Sequence, residues 1–144
     1  MWLRFLLVLI LLLFLVSCNQ EPPTTGTDQT FATACDDANE GTRIAVEGYL
    51  RLPDSFSGDQ SVVLRLYETD AFDGVPIGVT VPIGSEANQM EDVPISYSDD
   101  DLQVHLNDGQ TAGYGTPVKV SGRVYYPLVD QDFVCGLENV LVER

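Results

Sequence analysis

The chain has 144 residues, enough for one domain with a sizeable core and too few for two. Its 22 Asp and Glu against 7 Lys and Arg give a formal charge of −15, and so negative a field opposes any encounter with a phosphate backbone. Nucleic acid is thereby excluded as a partner, and a single histidine with no C-x-x-C spacing leaves a zinc site short of ligands.

Met1 to Arg4 form a short positive start, and Phe5 to Val16 an unbroken apolar run. A helix rises about 1.5 Å per residue and the hydrocarbon core is roughly 30 Å thick, so a stable span needs about 20 residues. The run is too short to stay in a bilayer and reads as a segment that is cut off. The residues that follow it, Leu15-Val16-Ser17-Cys18, resemble the lipobox of bacterial lipoproteins in position, order and flanking apolarity. That resemblance implies a signal peptide over 1–17 and a mature N-terminus at Cys18. It also implies a diacylglycerol on the Cys18 thiol and usually a further acyl chain on its amine. Each buried methylene contributes about 0.8 kcal/mol, so two or three chains anchor a protein almost permanently. The implied address is the bacterial cell envelope, lipid-anchored and extracytoplasmic. Asn19, where that family's inner-membrane members carry Asp, implies the outer membrane if the cell has two. Without residues 1–17 the chain keeps 6 basic residues against 22 acids, a formal charge of −16.

Residues 18–34 are rich in Pro, Thr, Gln and Gly, with little apolar besides Phe31, and read as a lipidated N-terminus and flexible tether. The folded domain is expected over 35–144. Its two cysteines, Cys35 and Cys135, meet an oxidising compartment and allow only one pairing, so a Cys35–Cys135 disulfide is expected.

From there the hydrophobic period is two. Arg43 to Leu52 places Ile44, Val46, Leu50 and Leu52 on one face, and Ser61 to Glu68 places Val62, Leu64 and Leu66 likewise. Val75 to Ile83, broken by Pro76 and Pro82, reads as an irregular edge strand, because proline cannot donate to a ladder. Ser85 to Asp92 is compatible with one short helical turn. Leu102 to Leu106, Pro117 to Tyr126 and Leu137 to Glu143 complete the strands, with turn chemistry at 54–59, 70–74 and 107–109.

Gly41 to Pro53 aligns without gaps on Gly115 to Pro127, sharing G-T-x-[IV]-x-V-x-G-x-[LV]-x-x-P. Each copy holds a glycine, Gly48 and Gly122, at an inward position where a strand can coil sharply. This resembles the first and fourth strands of OB-fold domains, and implies an all-β, five- to six-stranded OB-like barrel over about residues 41–143. The stretch from Gly84 to Gly115 departs from that family, which places a helix there. An immunoglobulin-like β-sandwich is the alternative.

Arg43, Arg51, Arg65, Lys119 and Arg123 fall on outward strand positions, together with Tyr49, Tyr67 and Tyr125. Flat aromatic and guanidinium planes of this kind stack on sugars or peptide. Tyr49, Arg51, Arg65, Tyr67, Arg123 and Tyr125 are the candidate ligand face, though outward Arg and Tyr also serve as surface cover that pairs with Glu47 and Glu68. Asp70, Asp73, Asp99 and Asp101 offer hard oxygens of the kind calcium takes, without the spacing of an EF-hand. The only imidazole, His105, lies in an alternating segment that points it outward, and no G-x-S-x-G precedes a helix. The expected role is non-catalytic binding or envelope support, without cofactor or metal. The expected partners are the membrane through the lipid anchor and an envelope protein or saccharide. A small secreted hydrolase or a calcium-dependent adhesion module is the alternative.

Overall fold

The computed structural model describes residues 22–56 and 58–144, so Leu15 to Cys18 lie outside it. Eight strands follow in chain order: β1 (Thr27–Asp28), β2 (Arg43–Arg51), β3 (Ser61–Tyr67), β4 (Ile77–Pro82), β5 (Val104–His105), β6 (Thr111–Ala112), β7 (Pro117–Tyr125) and β8 (Gly136–Glu143). The helical content of the described residues is two 3-10 turns, Asp37–Asn39 and Asp99–Asp101.

The period-two pattern gives the long strands their inner face. Ile44, Val46 and Leu50 of β2 and Val62, Leu64 and Leu66 of β3 are all buried in one core, as their spacing requires. Each such side chain contributes about 1.5–3 kcal/mol when fully buried, so a one-residue slip would turn the whole set to water.

Five strands close on themselves in the order β2-β3-β4-β8-β7, with β7 returning to pair with β2. β4 and β8 run parallel and the other barrel pairs antiparallel. A row of ladder partners passes from Arg51 through Arg65, Gly78 and Gly136 to Tyr125. From there it comes back to β2 at its other end, where the Gly41 N–H meets the Val124 carbonyl. Closure with that offset belongs to a small, steeply tilted barrel. The fold is an all-β, OB-like barrel, and a sandwich, which keeps two separate sheets, is ruled out. The two echoing segments are β2 and β7, side by side. A Cβ on Gly122 would lie 2.8 Å from that of Leu137, and one on Gly48 would run into the Tyr67 carbonyl, so both positions need the missing side chain.

Several elements differ from what the residues suggest. β4 is no edge strand, since it pairs with both β3 and β8. Pro76 precedes it and Pro82 is its last residue, so neither removes a donor from its centre. Leu102 to Leu106 contributes only the two-residue β5, which forms a ribbon with β6. No helical turn forms over 85–92. Met90 instead bridges Ile83 and Val104 and joins Leu102, Leu106 and Ala112 inside the core. This long connection plugs the barrel where OB-folds place a helix.

The tether expected over 18–34 is also shorter than its composition suggests. β1 adds in parallel to β2, Thr27 opposite Ile44 and Asp28 opposite Ala45, and the Gln29 N–H donates to the Ala45 carbonyl at 2.9 Å. Polar composition misleads here because backbone hydrogen bonds to an open strand edge hold this strap, and they need no apolar side chain. The strap ends at Cys35, which bonds to Cys135 with 5.6 Å between Cα atoms.

Candidate functional site

Tyr49 of β2 stands opposite Tyr67 of β3, so the coil of the barrel puts both rings on one outward patch. Into that patch the β3–β4 turn carries Phe72, held at φ 54°. Its ring meets those of Tyr49 and Tyr67 edge-on, with centroids 6.5 and 5.7 Å away. Tyr114, from the turn before β7, stacks on the Phe72 ring at 4.6 Å and 12° and remains 42 % exposed. The Arg51 guanidinium sits 5.9 Å from the Phe72 centroid, and its Nε donates to both Asp99 carboxylate oxygens at 3.2 Å. That hydrogen bond raises the Arg51 pKa, against a smaller opposing effect of burial.

The other expected members lie elsewhere. Arg65 is opposite Arg51 in register, but the β7–β8 loop folds over it. Asp132 takes an ion pair from Arg65 at 2.6 Å, Phe133 lies 4.9 Å from the guanidinium carbon, and the Arg65 side chain is only 12 % exposed. The Arg65 hydrogen bond holds the Asp132 carboxyl below its usual range. Tyr125 lies across Gly136, and its hydroxyl is 3.2 Å from the Thr80 hydroxyl. Arg123 is exposed and faces Arg43 across β2 and β7. Of the six residues expected to form one face, Tyr49, Arg51 and Tyr67 therefore share the aromatic platform, while Arg65, Tyr125 and Arg123 each lie apart from it. Spacing misses Phe72 and Tyr114 because both sit in turns, outside any alternating strand.

Beside Tyr49 an open groove of 760 Å³ runs over Glu47, Glu68, Pro117 and Lys119. A second groove of 460 Å³ continues beneath the strap and shares Glu47, Glu68 and Lys119. Lys119 is bound to Asp28 of the strap, and the ion pair raises its pKa.

Three of the four acidic candidates, Asp73, Asp99 and Asp101, are engaged locally. Asp99 holds Arg51, Asp101 accepts from the Ser98 N–H at 2.7 Å, and Asp73 accepts from the Thr69 hydroxyl at 3.0 Å. Among the described residues no group of three or more His, Cys, Asp or Glu is placed to hold a metal. His105 is half-buried, its Nε2 2.8 Å from Glu91 Oε1. No family model matches this chain, and no curated protein or solved structure compared with it is significantly similar.

Proposed function

We propose that this chain is a lipid-anchored, extracytoplasmic binding module without catalytic activity, and that it holds a saccharide or an extended peptide of the envelope on the Tyr49–Tyr67–Phe72–Tyr114 platform. One observation carries this reading. Four aromatic rings from two strands and two separate turns converge on the outer surface, next to an open groove, rather than in the core. Rings presented this way stack on flat apolar faces of sugars and on peptide side chains. The arginine beside them is held by Asp99, so it adds a positioned plane more than a free charge. The disulfide agrees with an oxidising compartment, and the Leu15–Cys18 motif supports the anchor.

Two measurements test the two halves. Radiolabelled palmitate should enter the wild-type chain and not Cys18→Ala; equal labelling ends the anchor. The soluble domain should be retained on arrays of envelope glycans or extended peptides, and Tyr114→Ala should lose that retention without loss of fold. Retention unchanged in Tyr114→Ala places the site elsewhere.

A further inference from the structure

Resting on the lipidation at Cys18 proposed above, we infer that the barrel end carrying Arg43, Arg123 and Glu138 lies against the headgroups of a zwitterionic phospholipid surface, with the aromatic platform held away from it. The chain between Cys18 and the docked strap is short. Six residue steps lead from Cys18 to Thr24, a reach of at most about 20 Å. From Thr24 onward the chain is fixed to the barrel. Arg43 donates to the Thr24 carbonyl, the Gly26 N–H donates to the buried Ser121 hydroxyl at 3.1 Å, and Asp28 pairs with Lys119. Gly26 is pressed on the Ile44 backbone so closely that a Cβ would collide with it. The anchor is thus at most six residue steps from a fixed point of attachment on the barrel.

That point of attachment sets the orientation. β1 runs parallel to β2 with Thr27 opposite Ile44, so the strap enters at the Arg43 end of β2. Arg123 is opposite Arg43, and Glu138 is opposite Arg123. Arg51, at the far end of β2, is about 26 Å away along the strand, and the platform lies at that end. Ile95, fully exposed, belongs to the same far end, since its loop is tied there by Tyr97 to the Pro53 carbonyl and by Asp99 to Arg51.

The chemistry at the near end matches the proposed surface. Two guanidiniums directly opposite each other on neighbouring strands repel unless an anion lies between them. Arg43 is already held at this end, donating to the Thr24 and Asn139 carbonyls, and Arg123 stands exposed beside it. Lipid phosphates supply an acceptor for Arg123, and Glu138, opposite it, complements the ammonium half of the same headgroup.

The test uses the lipidated chain on vesicles of phosphatidylethanolamine and phosphatidylcholine that carry a headgroup acceptor dye. Glu138→Cys and Ile95→Cys each introduce one thiol for a donor dye, because Cys35 and Cys135 are bonded to each other. Energy transfer several-fold stronger from position 138 than from 95 is expected. Equal transfer from both, with the chain on the vesicles, overturns the orientation. A chain that stays in the supernatant overturns the anchor, and the orientation falls with it. Gly26→Val, or Asp28→Lys against Lys119, should free the strap and erase the contrast while the chain remains bound; an undiminished contrast would mean the strap does not set the orientation. Arg123→Glu should weaken the contrast, and no change would remove the arginines from the contact.

Discussion

The side-chain oxygen of Asn88 accepts the backbone N–H of Val142 at 2.9 Å, across 54 residues of chain. Asn88 is almost fully buried and sits at φ 63°, its side-chain amide donates to Asn107, and its own N–H donates to the His105 carbonyl at 2.8 Å. One side chain thereby pins the plug segment, the β5–β6 ribbon and the last barrel strand together.

Asn88→Ala should cost about 2 kcal/mol, because it orphans the buried Val142 N–H and keeps a side chain at positive φ. Asn88→Gly removes the same acceptor but accepts the backbone conformation, so it should cost measurably less than Ala. Urea denaturation of the three proteins checks this. Glycine equal to wild type would mean that conformation alone, and not the hydrogen bond, selects asparagine.

The disulfide joins the end of the strap to the residue before β8, across 100 positions. Chain entropy alone assigns about 4.7 kcal/mol to so long a loop, an upper figure from which native strain subtracts. Cys35→Ser with Cys135→Ser should lower the melting temperature strongly, as should reduction of the wild type. Alkylation of the denatured, unreduced chain should find neither thiol; quantitative modification of both would refute the bridge in solution.

The Arg65–Asp132 pair gives a small, signed pH dependence. Asp132 has a lower pKa folded than unfolded, so its contribution is present above the unfolded value and is lost as pH falls through the folded one. Its side chain is 60 % exposed, and solvent screening keeps the effect below about 1 kcal/mol. Asp132→Asn should therefore be slightly less stable than wild type near neutral pH. The two should converge as pH falls through the lowered folded pKa of Asp132. A gap that persists in acid would point to packing of the loop rather than charge.

What alternation of apolar residues can reveal, this chain displays: β2, β3 and β7, their inward residues, and the paired inward glycines that make a tight barrel. The period is blind to whatever lies between strands. Thr27 and Asp28 carry no apolar face, so their docking through backbone groups leaves no trace in hydropathy. Arg51 and Arg65 look alike as outward residues, yet a loop 67 positions downstream covers only the second. A signal for the missed platform residues did exist. Phe72 is an aromatic inside the turn chemistry of Asp70 to Gly74, and Tyr114 stands between Gly113 and Gly115, where a large apolar ring has no core to enter.

Phe72 offers the sharpest separation of a binding surface from simple cover. At φ 54° a phenylalanine carries about 1–2 kcal/mol of backbone strain, which glycine at the same position would not. Against that relief stands the loss of ring packing on Tyr49, Tyr67 and Tyr114, about 1–2 kcal/mol for a half-exposed aromatic cluster. The two effects nearly cancel, so Phe72→Gly should melt within a few degrees of wild type. If the platform binds, that variant should nevertheless lose capture of the glycan or peptide that wild type retains, because Tyr114 then has nothing to lie on. A large drop in melting temperature with capture unchanged would make the four rings structural cover. Single-stranded DNA is the control for both proteins. At −15 formal charge neither should be retained at physiological salt, and micromolar binding would overturn the argument from charge.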